Sequence, residues 1–335
     1  MVNAHLHSDL MRIPVQVFVL WTHKKKSHRK RQSMDDRIMA FYGHLDENGI
    51  SNREKIERFQ KIIRRTDATD TGRSFDETEG HHDGRVLREG RLIGFGIHIL
   101  NEDIYPLRRF EIYLRNCDLV GEVDLSGEEE LLFVDVYHNR LSSVRVDGDR
   151  KLRILGIQDN AVEQLDVSTL TSCQGIDAGK NRLEALDVSR NEELVELYVN
   201  DNRLQRVDTG ACRKLRYFYC QNNQITRLDL RDNPHLRHVN ATGNPVREIL
   251  ALAPQREDHL PLEVRSEGPG YVGLKFNPVY NAQWKETGEW QQSYEARAFE
   301  GHRFLGWWEK GQEICTEPSW TDEYGASRVL VARFM

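Results

Sequence analysis

Residues whose types could do chemistry are few in this sequence. His81 and His82 stand beside Asp83, a trio able to ligate a metal. They lie in "TDATDTGRSFDETEGHHDG" (66–84), a polar stretch that reads as a mobile loop and fixes no ligand geometry. The five cysteines, Cys117, Cys173, Cys212, Cys220 and Cys315, are odd in number and scattered, without a CxxC pair. Neither a disulfide framework nor zinc is indicated. No GxSxG, HExxH or phosphate-cradling loop occurs. The expectation is no catalytic residue, no metal and no cofactor. An enzyme with a hydrolytic site in the N-terminal region, served by His81 or His82, is the alternative. Carboxylates recur as "LD" at Asp124, Asp166, Asp187, Asp208 and Asp229, and such regular recurrence argues for structure.

The element behind that recurrence is a repeat. Coils starting at Phe110, Leu131, Leu152, Cys173, Leu194, Leu215 and Leu236 keep a period of 21 residues, with no insertion breaking the count. Their ninth residue is Asp118 and then Asn139, Asn160, Asn181, Asn202, Asn223 and Asn244. Positions one, four and six are mostly apolar and alternate with polar ones, as in a short strand with one buried face. One strand cannot bury that face alone, whereas stacked coils can, which predicts a solenoid with a parallel sheet over residues 110–252. A buried Asn both donates and accepts, so the ninth position is suited to backbone groups in the bend after each strand. Asp118 should break that column. A second short extended segment is expected on the outer side, around positions fourteen and sixteen.

These residues resemble the leucine-rich repeat, and more narrowly the 21-residue form of internalin-like bacterial surface proteins. "LRYFYCQNNQITRLDLRDNPH" (215–235) fits that pattern throughout, with Cys220 where the family often stacks cysteines. The other coils carry Val, Ile, Ala or Arg there, so Cys220 and Cys173 read as core residues. "ARAFEGHRFLGWWEKGQEI" with "VLVARF" resembles the small β repeat that follows internalin arrays, through Gly301, Phe304, Gly306, Trp307, Ala332 and Phe334. The domain reading is therefore an N-terminal region (1–109), a right-handed solenoid of about seven coils (110–252) and a small β domain (253–335). The N-terminal region is expected to hold a basic tail, a helical cap from 33–46 and 51–65, the mobile loop and a lead-in strand at 91–100. Ser33 and Ser51 are its helix N-cap candidates. The C-terminal tryptophans read as that domain's core.

Function then falls to the surface. Positions three, five, seven and eight should form a ladder across the concave sheet. They supply Phe133, Tyr137, Tyr198, Tyr217 and Tyr219, and the acids Asp135, Asp159, Asp177, Glu196 and Asp201, against Lys180 alone. His138 and His238 are titratable on the same ladder, and Arg140, Arg182 and Arg203 line one border. Tyrosine clusters suit a protein or peptide partner, and the acids beside them suit a basic one. A net charge of −6 disfavours nucleic acid. No run of about 18 apolar residues is present to span a membrane. The resemblance implies a non-enzymatic, adhesin-like bacterial protein at the cell surface or secreted. "IPVQVFVLW" (13–21) precedes its basic run instead of following one, so no clear signal peptide is recognised in this reading frame. A cytoplasmic scaffold or delivered effector is the alternative.

Overall fold

The computed structural model describes residues 43–52, 54, 110–113, 118–127, 131–252, 261–280, 286–322 and 328–335. Through the repeats run β1 (Phe110–Tyr113), β2 (Val120–Asp124), β3 (Leu131–Asp135), β4 (Arg140–Arg145), β5 (Ile154–Gly156), β6 (Gly175–Asp177), β7 (Glu196–Tyr198), β8 (Tyr217–Tyr219), β9 (Leu228–Asp229), β10 (His238–Asn240) and β11 (Glu248–Leu252). They are followed by β12 (Pro261–Glu267), β13 (Gly270–Tyr280), β14 (Glu286–Ala298), β15 (Phe304–Glu309), β16 (Gln312–Cys315), β17 (Ser319–Asp322) and β18 (Arg328–Phe334).

One strand per coil builds the inner sheet, in the order β1-β3-β5-β6-β7-β8-β10. From β3 onward the parallel register advances by one period per rung, aligning Val134, Leu155, Ile176, Leu197, Phe218 and Val239. Each of these side chains is buried between its neighbours. Leu152, Leu155, Ile157, Val162, Leu165 and Val167 of one coil all enter the core. Cys173, Cys212 and Cys220 do the same, and burial pushes the Cys173 and Cys212 thiols up to about 12. These cysteines pack as small apolar groups and carry no thiolate at neutral pH. The expected outer extended segment is only partly regular. β2 pairs with β4 and β9 with β11, while Leu165, Val167, Leu186 and Val188 are buried outside any strand.

The asparagines tie successive coils together. Asn202 Oδ1 accepts the Leu183 amide at 2.9 Å, and its Nδ2 donates to the carbonyls of Ala178 and Val199 at 2.9 and 3.2 Å. The same pattern holds at Asn160, Asn181, Asn223 and Asn244. Asn139 accepts the Leu119 amide and donates within its own coil. One side chain thus satisfies a donor of the preceding coil and acceptors of two coils, where backbone in a bend has no ladder partner.

The first coil departs from the sequence expectation. Phe110 pairs with Leu131 but Glu111 with Phe133, and the count is restored between Gly121 and Glu122, so that Val123 faces Val144. At each step the partner strand holds one unpaired residue, Leu132 and then Ser142, so the offset between rungs passes from 21 to 22 over β1 and from 20 back to 21 over β2. Leu119, fully buried, therefore takes the inward place expected of Val120, which is half-buried. Asp118 stands outside the asparagine column and meets Arg140 at 2.6 Å on the surface. Gly121 sits at the second irregularity: its φ is +82°, and a Cβ there would lie 2.7 Å from the His44 ring.

His44 belongs to a short segment that closes the front of the array. Asn52 is fully buried, donates to the Val120 carbonyl at 2.8 Å and accepts the Val120 amide at 2.9 Å. Arg140 adds contacts with Glu47 at 2.8 Å and Asp46 at 3.7 Å. Ser51 accepts the Glu54 amide at 3.2 Å, as an N-cap would. No helix is among the described elements, so the helical cap finds no support in them. Residues 33–42 and 55–65, the loop 66–84 with His81 and His82, and the strand at 91–100 lie outside the described residues.

At the far end both sheets run on past the last coil. β13 pairs antiparallel with β10, followed by β14 and β17, giving a ten-stranded inner sheet. β12 pairs antiparallel with β11, followed by β18, β15 and β16, giving a six-stranded outer one. Trp307, fully buried, packs between Tyr294 and Phe304 at 6.0 and 5.9 Å, and Phe304 meets Phe334 at 5.6 Å. Burial pushes the Tyr294 phenol up to about 12.

Candidate functional site

The inner strands are only three residues long from β5 to β10, spanning positions three to five. Positions seven and eight lie beyond them, in the bend, and do not continue the sheet as the sequence reading had it. The backbone reason is visible at position eight. His138, Asp159, Lys180, Asp201 and Asn222 all adopt φ between 50° and 58°, a left-handed conformation that turns the chain out of the strand. The concave surface is thus two strand rows and a rim.

One strand row aligns Phe133, Ile154, Gly175, Glu196, Tyr217 and His238; the other aligns Asp135, Gly156, Asp177, Tyr198, Tyr219 and Asn240. Within them Tyr198 stacks on Tyr219 with ring centroids 5.1 Å apart and planes 15° apart. Beside that pair Tyr217 stacks on His238 at 4.5 Å and 17°. Strand spacing of about 4.8 Å makes such stacking the natural result of aromatics in register. Phe133, Asp177, Tyr198, Tyr217 and Tyr219 are half-buried on this face.

Two acids expected on the open ladder are buried instead: Asp135 is 3% exposed and Glu196 0%. Alternation with inward residues does not guarantee exposure, because the inner face curves toward itself and side chains settle over shorter neighbours. Asp135 does so over Gly156, whose Cβ position lies 3.5 Å from the Asp135 carboxyl carbon. Glu196 stands in register between Gly175 and Tyr217.

On the rim His138 Nδ1 meets Asp159 at 2.5 Å. Asp201 accepts from the side chains of Asn200 and Asn222, each at 2.7 Å. Tyr137 lies near His138, with ring centroids 5.9 Å apart. Along the border Arg140 is held by Asp118 and Glu47, and Arg182 lies 3.9 Å from Glu163. The acids therefore divide into buried members, Asp135 and Glu196, and accessible ones, Asp159, Asp177 and Asp201. Among the described residues no group of His, Cys, Asp and Glu is placed to hold a metal ion, and no helix is long and apolar enough to cross a membrane.

Sequence reasoning missed three sets of residues. Asn52 was invisible because it lies outside the period. A second asparagine position appears at the outer bend, position nineteen. Asn191 donates to Val167 and Leu170 carbonyls at 2.9 and 3.0 Å, and Asn233 to those of Thr209 and Cys212 at 2.8 and 3.0 Å. Its signal is a doubled spacing, with Cys212 at that position in the coil between and Leu170 in the coil before. Lys275 and Arg297 are the third set: Lys275 faces Asn240 directly and Arg297 faces Tyr271, so the concave surface continues onto β13 and β14.

The sequence matches no protein-family model and no curated protein. Similar solved structures include the functional domain of InlJ from Listeria monocytogenes, described as including a cysteine ladder, at 12% identity and a TM-score of 0.39 over 67% of this chain and 66% of that one. An internalin, InlF, from Listeria monocytogenes is similar at 16% identity and a TM-score of 0.34, over 41% of this chain and 42% of that one. A leucine-rich-repeat protein from Leptospira interrogans is similar at 17% identity and a TM-score of 0.30, over 38% and 43%. The matched region spans less than two thirds of each of these proteins. The chain is a β-solenoid of about six turns with 21-residue spacing, and internalins and another leucine-rich-repeat protein are among its structural neighbours.

Proposed function

We propose that the chain is a non-catalytic recognition protein that holds a protein or peptide partner on its concave sheet. The observation that carries this reading is the paired aromatic stack, Tyr198 on Tyr219 and Tyr217 on His238, set side by side in the strand rows. Four rings fixed in register offer a large amphipathic contact area, and little side-chain freedom is left to lose on binding. Asp177 flanks Tyr198 in its row, with Asp201 and Asp159 on the rim and Lys180 as the basic member there. That balance favours a basic segment, whose arginines can stack on tyrosine faces and meet a carboxylate. An adhesin-like role at a bacterial surface or in secreted form accords with such a surface.

A displayed random-peptide library tests the reading. Selected binders should be rich in Arg and Lys. Combining Tyr198→Ala with Tyr219→Ala should weaken them at least about tenfold, a loss of about 1.4 kcal/mol. Asp187→Ala on the outer side should leave them unchanged. Equal binding by the double variant at an unaltered melting temperature removes the concave sheet from the account.

A further inference from the structure

The inner sheet does not stop at the last coil, and two exposed cations, Lys275 and Arg297, join its surface where it continues. Going outward from Tyr219, the row reads Asn240, Lys275, Ser293 and Thr321, directly opposed strand to strand. Residues opposed in this way share a face, so Lys275 lies two strands, or about 10 Å, beyond Tyr219 on the same surface. Alternation along β13 and β14 sends Val272, Leu274, Phe276, Tyr294 and Ala296 inward, all buried. It leaves Tyr271, Lys275, Glu295 and Arg297 outward.

At this seam a cleft of about 370 Å³ opens between the last coil and the C-terminal strands, lined by Gly243, Asn244, Pro245, Tyr271, Arg297 and Phe299, among others. Its apolar wall is the Tyr271–Phe299 pair, with ring centroids 4.6 Å apart. Two acids stand at the seam: Glu295 is engaged, accepting the Gly243 amide at 3.2 Å, and Glu300 lines the cleft at its exposed edge. In the preceding coils that amide donates to the next rung, as Asn222 does to Thr242 and Asp201 to Gln221. Glu295 thus stands in for the rung that would follow. Arg297 and Lys275 are both exposed, and among the described residues neither is engaged in an ion pair.

We propose that this seam is a second binding subsite on the concave face, one that takes an acidic peptide segment carrying an aromatic or apolar side chain. The Arg297 guanidinium receives the carboxylate, Lys275 strengthens the local positive field, and the Tyr271–Phe299 wall receives the apolar group. The subsite rests on the geometry of the cap and not on the tyrosine stack, so it stands or falls separately from the reading above. A partner that spans the whole face would carry a basic stretch over the coils and an acidic one over the cap.

A fluorescein-labelled peptide of alternating Glu and Phe is the probe, read by anisotropy against its Lys and Phe counterpart. Binding of the Glu/Phe peptide should weaken about tenfold in Arg297→Ala, less in Lys275→Ala, and remain unchanged in the Tyr198→Ala, Tyr219→Ala variant. It should also weaken as salt rises. Arg297→Gln gives the same readout with more of the stem retained, should Arg297→Ala fold poorly. No measurable binding of the Glu/Phe peptide overturns the proposal, as does binding that Arg297→Ala and Arg297→Gln leave intact. Loss in the tyrosine variant alone overturns it too, by placing that peptide on the stack.

Discussion

Asn202 and Asp187 both occupy positions that recur along the coils, at the inner and the outer bend, yet only one of them joins coils to each other. Asn202 is buried and bonded to groups of two coils. Asp187 is exposed and its Oδ1 accepts the Ser189 amide, two residues on in its own coil, at 2.9 Å. Asp166, Asp208 and Asp229 make the same local turn with Ser168, Gly210 and Arg231. Periodicity in a solenoid therefore has two sources. A recurring buried amide couples neighbours, whereas a recurring exposed carboxylate repeats a local turn that every coil needs separately.

Replacing the coupling residue by a charge should break this contrast most sharply. Asn202→Asp places a carboxylate, which only accepts, against the Ala178 and Val199 carbonyls. At neutral pH it should cost about 3 kcal/mol or more in urea unfolding, with part recovered in acid as the carboxyl protonates. Asn202→Ala removes the bonds without adding charge and should cost about 1–3 kcal/mol. A loss no greater than that of Asp187→Ala would mean that the column does not couple coils. Asp187→Ala itself should stay within about 0.5 kcal/mol.

The smallest expected effect is in pH dependence. The Ser168 hydroxyl and amide hold the Asp166 carboxyl below its ordinary value, and the Ser189 and Gly210 amides do so for Asp187 and Asp208. The Arg231 guanidinium does it for Asp229. Carboxyls lowered in the folded state stabilise it above their unfolded pKa of about 3.9 and lose that contribution as pH falls through the folded value. The asparagines carry no such dependence. A variant with all four aspartates changed to Asn should therefore lose less stability than the wild type between neutral pH and about pH 3. Parallel losses would remove the outer row as the source.

Much of this architecture was legible because a solenoid writes its core in the period: one aligned set, Val134 to Val239, fixes the whole inner sheet. What stayed hidden had no periodic trace. The slip in the first coil begins after Phe110 and is undone by Glu122, where the offset is again 21, so counting cannot see it. The burial of Asp135 and Glu196 depends on which neighbours are glycine. The placement of Lys275 and Arg297 depends on an antiparallel register between β10 and β13, which no repeat encodes. The stack of Tyr198 on Tyr219 was legible as a shared position, though its ring geometry was not.

The position of β18 bears on the order of synthesis. It lies inside the outer sheet, between β15 and β12, although it is made after both. On the ribosome the coils can stack as they emerge, and β12 and β15 can pair with β11 and β16, but the second edge of each must wait for residues 328–334. A chain stalled before that stretch would present two unpaired strand edges, so pausing there should expose it to aggregation while the coils behind it are already closed.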